Sequence, residues 1–319
     1  MRRVHLGATH LEVSAIAFGT WAFGGDWGAV DIKESTAVIH KALDLGITLF
    51  DTAQGYGFGT AERLLGDALR GRRDKVLIAT KGGLRPEGDT LVRDAGALWL
   101  REGVESSLRA LKTDHVDLLQ VHWPDRNTRA EETAAALEQF VREGKVRYVG
   151  VSNYGVEEME ELRTLGCLET LQPPYHMFHR DIENEILPYT AKHELGVLVY
   201  GPLAHGLLGG RMSPATTFAE DDWRAKSPDF AGETFRRNLR VVDRLKTFAA
   251  DLGITLPALA VRWTLSHPAV HVTIIGGHRP AHLDDTAAAD QPLSEQDLAE
   301  IDLILADSVP MWGPHPEGM

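Results

Sequence analysis

Eight short apolar runs alternate along the chain with longer segments whose apolar residues recur at helical spacing. More than any other feature, this rhythm limits the folds available. The runs fall at 15–18, 47–50, 76–80, 116–121, 146–151, 168–171, 197–200 and 271–275. Between them, one helix is expected to open near Asp31, with Glu34 at capping-box spacing. Others are expected from about Thr60 to Leu69, through Leu100, Val104, Leu108 and Leu111, and over 130–141, 156–165 and 182–193. Strands and helices in alternation build a parallel sheet. Eight repeats close it, so the expected fold is an α/β, (β/α)8 TIM barrel.

Three segments depart from the rhythm. Residues 4–13 alternate as a short hairpin, placed to close the bottom of a barrel. From 201 to 233 runs a long stretch rich in Gly, Pro and charge, and in a compact domain a loop of that length is a functional lid or is disordered. A helix pair follows, with Pro257 near the first turn of its second member, and delays the eighth strand. A short helix after Pro280 and another from about Ser294 to Asp307 make additional C-terminal helices. Residues 310–319 are Pro/Gly-rich and read as a flexible tail, or as one folded back over the mouth. No composition break divides the chain, so 1–319 is expected to be a single barrel domain.

Composition narrows function. With 33 basic and 46 acidic side chains the net charge is −13, which disfavours a nucleic-acid or anionic-membrane partner. The lone Cys167 excludes an intrachain disulfide and reads as an ordinary buried thiol. Two arginines near the N-terminus lack the apolar stretch of a signal peptide behind them. No window reaches the ~18 apolar residues of a membrane span. The cytoplasm is the expected location; the sequence carries no signal of oligomeric state.

Four residues sit where such a barrel concentrates chemistry, at the C-terminal ends of its strands. Asp51 closes the second run, Tyr56 lies one loop beyond it, Lys81 closes the third run and His122 the fourth. Singly, each has an ordinary reading: a cap, a packing lid, a paired lysine, a core histidine. Delivered together to one mouth, an acid, a phenol, an amine and an imidazole suggest an assembled proton-transfer site.

These residues and their surroundings resemble the aldo-keto reductase superfamily, in its bacterial NADP-dependent branch. Phe50-Asp51-Thr52-Ala53-Gln54-Gly55-Tyr56 looks like that family's signature, and Lys81 and His122 match its other two catalytic positions. The likeness spans nearly the whole chain, through Gly19-Thr20-Trp21, His122-Trp123-Pro124-Asp125, Gly150-Val151-Ser152-Asn153, Leu171 to Tyr175 and Tyr200-Gly201-Pro202-Leu203. The resemblance implies reduction of an aldehyde or ketone by a nicotinamide cofactor, with no metal. Tyr56 would be the general acid. Lys81 would lower the tyrosine's pKa from its usual ~10, and Asp51 would hold the lysine. His122 would orient the carbonyl.

It also implies a cofactor site. Gly19, Thr20, Trp21 and Asp51 would lie at its inner end. Ser152, Asn153 and Gln172 would hold the carboxamide, with Tyr200 stacked on the ring. Gly201 and Pro202 would touch the cofactor, and the pyrophosphate would lie under Leu203 to Arg211, with Leu207, Gly209 and Arg211 among its contacts. The adenosine end would meet Gly276, Gly277, His278, Arg279, His282 and Asp285. That last segment departs from the family pattern at His278, His282 and Thr286, and Arg279 is left to pair with a 2′-phosphate. NADP is therefore favoured, with NAD as the alternative. Trp21, Trp27, Tyr56, His122 and Trp123 would line a partly apolar substrate pocket for a small carbonyl compound. Two other functions share these features: a sugar or polyol dehydrogenase working mainly in oxidation, and a cofactor-binding regulatory protein on the same barrel.

Overall fold

The computed structural model describes residues 1–25, 30–88, 90–220, 222–277 and 279–315. Its centre is a closed barrel of eight parallel strands. In chain order the elements begin with a hairpin, β1 (Arg3–His5) and β2 (Glu12–Ser14), then β3 (Ile16–Gly19), α1 (Ile32–Asp44), β4 (Leu49–Asp51) and α2 (Thr60–Ala68). Next come β5 (Leu77–Gly82), a second hairpin of β6 (Leu84–Glu87) and β7 (Thr90–Arg93), α3 (Ala97–Leu111), β8 (Val116–Val121) and α4 (Ala130–Arg142). They continue with β9 (Val146–Ser152), α5 (Val156–Thr164), β10 (Thr170–Gln172), α6 (Ile186–Lys192), β11 (Gly196–Tyr200), α7 (Gly232–Asp251) and α8 (Leu256–Thr264). The chain closes with β12 (Val272–Ile275), α9 (Leu283–Ala287) and α10 (Glu295–Leu305). Around the barrel the order is β3-β4-β5-β8-β9-β10-β11-β12, with β12 returning to β3.

Local chemistry sets the helix ends. Asp31 caps α1 by accepting from the amides of Lys33 (2.8 Å) and Glu34 (3.0 Å). Thr255 caps α8 with Pro257 in its first turn, where a missing N–H leaves no bond unmade. Ser294 and Asp297 form a reciprocal capping box on α10. The 182–193 segment, expected as one helix, divides into a 3-10 turn at Asp181–Glu183 and α6.

The β1–β2 hairpin closes the barrel floor as expected. Leu6, Leu11 and Val13 bury against the inward side chains Ala17, Leu49, Ala79, Leu118, Leu198 and Val272. Gly7 at the turn is at φ +56°, and a Cβ there would stand 2.3 Å from the amide nitrogen of Gly196, so the approach requires glycine. No helix among the described residues is long and apolar enough to cross a membrane.

One feature lay outside the expected rhythm, and the tail follows one of its two expected courses. The β6–β7 hairpin stands between β5 and α3 as its own two-stranded sheet, paired from Leu84↔Arg93 to Glu87↔Thr90. The tail folds back instead of hanging free over residues 310–315. Val309 exchanges two hydrogen bonds with the Asn238 amide, the Met311 amide donates to Phe178 O, and the Trp312 amide donates to Asp229 Oδ2. Met311 is fully buried. Residues 316–319 lie outside the described residues.

Candidate active site

Strand alternation builds the site. Successive side chains in a strand point to opposite faces, so each residue two positions above an interior leucine or alanine also points inward. From Leu49 this rule reaches Asp51; from Leu77 and Ala79 it reaches Lys81; from Leu118 it reaches Gln120 and then His122. Ladder register levels them: Gly19 pairs with Asp51, Asp51 with Ala79, Lys81 with Gln120 and Gln172 with Ser152. Tyr56 arrives from the β4–α2 loop. There Gly57 is at φ +59° and a Cβ on it would meet Gly24 O at 2.4 Å, so the loop packs this tightly only with glycine.

The structure brings the four residues together. Lys81 Nζ donates to Asp51 Oδ1 (2.9 Å) and Oδ2 (2.7 Å), to Thr52 O (3.0 Å) and to Tyr56 Oη (3.2 Å). Every partner of the ammonium is an oxygen, and one of those oxygens is the phenol's. Lys81 is 1 % and Asp51 3 % exposed, so the pair is desolvated and stands only because its hydrogen bonds are complete. Burial pulls the Lys81 ammonium below its usual range, while Asp51 and then Glu62 support the charge. Gln172 Nε2 donates to Asp51 Oδ1 (2.8 Å) and Gln120 Oε1 (3.1 Å), fixing the carboxylate from the far wall.

His122 packs edge-on to Tyr56, ring centroids 5.6 Å apart, and Trp21 stacks on that phenol at 6.3 Å. Burial, and then the Lys81 charge, hold the His122 imidazole well below its ordinary pKa. It is neutral at pH 7, with one N–H to donate. Behind it, Asn153 Nδ2 donates to His122 O (3.1 Å) and Ser152 Oγ (3.1 Å), and Tyr200 Oη donates to Asn153 Oδ1 (2.8 Å). Ser152 Oγ donates to Gln172 O (2.8 Å).

These groups open onto a cavity of about 340 Å³. Trp21, Asp51, Tyr56, His122 and Trp123 line its inner part, and Gly19, Ser152, Asn153, Gln172 and Tyr200 its walls. Gly201, Pro202, Leu203, Gly276, Gly277 and His282 carry it outward. Other residues expected at a cofactor do not reach it. Thr20 is buried just past the C-terminal end of β3, off the cavity lining, and Leu207 is fully buried in the core. Gly209 lies at the end of a 3-10 segment beyond the lining. Arg211 and Asp285 are exposed and absent from the wall. Arg279 points away, 3.8 Å from Glu34 Oε2 on α1. Trp27 and His278 lie outside the described residues.

The cavity also holds residues that sequence reasoning missed. His205, Arg224 and Pro314 line it. Arg224 donates to both Asp222 oxygens and to His205 O (3.0 Å). Burial, then Arg224, lower the His205 pKa to about 4. Pro314 comes with the tail, and beside it the His315 ring lies 5.5 Å from Trp123. His205 and Arg224 sit in the long 201–233 stretch, where no spacing rule marks a wall residue. Cys167 is buried, its thiol pushed up to about 12 by desolvation, and takes no part.

A barrel with this tetrad at its mouth defines a class, and the sequence profile of the Aldo/keto reductase family matches residues 15–306. The chain belongs to that family. It is 40% identical over 314 residues to the aldo-keto reductase YhdN of Bacillus subtilis, covering 97% of this chain and 95% of that one. It is 31% identical over 306 residues to an NADH-specific methylglyoxal reductase of Escherichia coli, covering 91% and 93%. Among solved structures, a glycerol dehydrogenase from Gluconobacter oxydans superposes with a TM-score of 0.89 at 38% identity, over 98% of this chain and 97% of that one.

Proposed function

We propose that this chain reduces aldehydes or ketones to alcohols with NADPH, in the cytoplasm, using Tyr56 as the general acid. The observation that carries the reading is the single hydrogen-bonded set Asp51–Lys81–Tyr56, with a neutral His122 against the phenol. The cavity suits a nicotinamide nucleotide: amide and hydroxyl groups of Ser152, Asn153 and Gln172 line one end, and the side-chain-free backbone of Gly276 and Gly277 the other. When bound, the reduced nicotinamide supplies a hydride. Tyr56 supplies the proton to the carbonyl oxygen. Lys81 stabilises the charge left on the phenol oxygen, and Asp51 with Gln172 keeps the lysine aimed. His122 donates its one N–H to the oxygen where negative charge develops. Trp21 and Trp123 exclude water from the inner cavity.

Tyr56→Phe tests the assignment. The variant keeps ring volume and loses the proton donor, so cofactor oxidation at 340 nm should fall at least ~10²-fold while nucleotide still binds. Retention of more than half the activity across the pH range would remove Tyr56 from the role.

Cofactor choice has its own test. Arg279 is exposed and only loosely matched with Glu34, which leaves it able to turn toward a 2′-phosphate. Arg279→Ala should weaken NADPH by about 1.5–3 kcal/mol, the range for hydrogen bonds to charged groups. NADH should change little, narrowing the preference at least ~10-fold. A second outcome has support too: Glu34 beside Arg279 can accept from ribose hydroxyls, and the Escherichia coli relative is named as NADH-specific. Tighter NADH than NADPH binding by the unaltered protein would establish NADH as the donor. Oxidation of a polyol is the same site run in reverse, and the glycerol dehydrogenase likeness favours testing it. A faster alcohol-oxidation rate than carbonyl-reduction rate at matched saturation would reverse the direction proposed.

A further inference from the structure

Behind the tetrad, between the barrel wall and its helices, stands a carboxylate that the mechanism above does not use. Glu62 lies in the first turn of α2 and is fully buried. Its Oε1 accepts a hydrogen bond from Thr80 Oγ1 at 2.6 Å. Its Oε2 is buried without a hydrogen-bond partner, although the Ser107 hydroxyl of α3 lies near. A buried carboxylate left half satisfied is costly, and an apolar side chain would pack α2 against β5 without that cost. Packing does not account for it.

Two links run from Glu62 to the reacting groups. Thr80 precedes Lys81 on β5, pointing outward where Lys81 points in. On the other side, the adjacent Ala61 amide donates to Tyr56 O (3.3 Å), and Thr60 Oγ1 donates to Gly57 O (2.7 Å). The Glu62–Thr80 bond therefore ties the helical turn that grips the tyrosine loop to the strand that carries the lysine. Several groups face the carboxylate. β5 contributes Lys81, α2 itself Arg63, α3 the neutral Ser107 hydroxyl, and β4 places Asp51 beyond the lysine. Burial raises the Glu62 pKa, and the Thr80 and Ser107 hydroxyls, then Lys81 and Arg63, draw it back down.

We propose that Glu62 is a positioning residue of the proton-transfer site. It is a second carboxylate that sustains the Lys81 charge, and through Thr80 it sets that lysine against Tyr56. Asp51 alone faces an ammonium that burial discourages, and Glu62 adds its charge from behind the strand. The purpose of the arrangement rests on the carbonyl-reductase reading above; the hydrogen bonds themselves do not.

The test compares the unaltered protein with Glu62→Gln, which keeps an acceptor for Thr80 and removes the charge. Without that charge a proton leaves the Lys81–Tyr56 pair more readily, whichever group loses it first. The alkaline limb of the pH–kcat profile should move to lower pH by about 1 unit, the low end for one neighbouring charge. Nucleotide affinity should change little. The same shift should appear without any turnover in the phenolate absorbance of Tyr56, taken in each background as the difference from Tyr56→Phe. Glu62→Asp keeps the charge on a shorter arm, so it should lower kcat and leave the titration in place. An absorbance titration unmoved in Glu62→Gln, or moved equally in Glu62→Asp, would overturn the role of Glu62 and leave carbonyl reduction standing. A titration that moves only in Glu62→Gln, in a protein that turns over no carbonyl compound, would uphold Glu62 and overturn the reaction instead.

Discussion

Lys81→Met is expected to abolish carbonyl reduction across the accessible pH range while changing nucleotide affinity much less. The ammonium donates to the phenol at 3.2 Å, so its removal leaves nothing to balance the charge on Tyr56 once the proton departs. The substitution also strips the cation from an Asp51 carboxylate that is 3 % exposed. Breaking a buried pair from one side costs about 3–5 kcal/mol, so Tm should drop as well. The double variant Lys81→Met/Asp51→Asn separates the two effects. With both charges gone the stability should largely return, and the activity should not. Near-normal turnover with an unchanged pH–rate profile in either variant would sink the proposed role of Lys81.

The second large effect is acid lability above the carboxylate range. Burial lowers the pKa values of His122, His176, His179, His205, His267 and His271, and that of His205 to about 4. Unfolded histidine titrates near ~6.5. Between the depressed folded values and that point the unfolded chain binds more protons, so stability rises with pH across the window and is lost as pH falls below about 6.5. Each histidine kept neutral removes about 1.4 kcal/mol per pH unit. For His205, whose folded value is about 4, this approaches about 2 kcal/mol at pH 5, and the deeply buried His122 and His176 add to it in the same sense, against a typical total of about 5–15. Glu62, Glu169 and Asp229, raised by burial, act in the opposite sense and offset part of it. Denaturant midpoints measured from pH 7.5 to 4.5 should fall from about pH 6.5 downward. His176→Gln should flatten the slope. A level profile down to pH 5 would contradict the burial of these rings.

Much of this was legible in the residues because strand alternation and strand ends are local signals. Asp51, Lys81 and His122 each terminate an apolar run, and that alone points them at one mouth. The β6–β7 hairpin was not legible: Pro86 argues against a strand, and the turn falls where the rhythm calls for a helix. The back-folded tail depends on contacts with Phe178, Asp229 and Asn238, distant in sequence, which no local pattern carries. Arg211 and Arg279 were placed by family position; both are exposed side chains outside the cavity lining, whose reach toward a nucleotide no local pattern sets.

The separateness of the β6–β7 hairpin has an evolutionary consequence. Its strands pair only with each other, tethered by Arg85 Nε to Asp94 Oδ2 (2.9 Å) and Trp99 Nε1 to Leu84 O (3.1 Å). The tetrad instead stands on the closed ladder, where a change in one strand disturbs two neighbours. Substitutions in the hairpin therefore leave the barrel ladder undisturbed, since segments outside the scaffold tolerate change. A lineage carrying this fold can vary the exposed positions Pro86, Glu87, Gly88 and Thr90 while inheriting its proton-transfer apparatus intact.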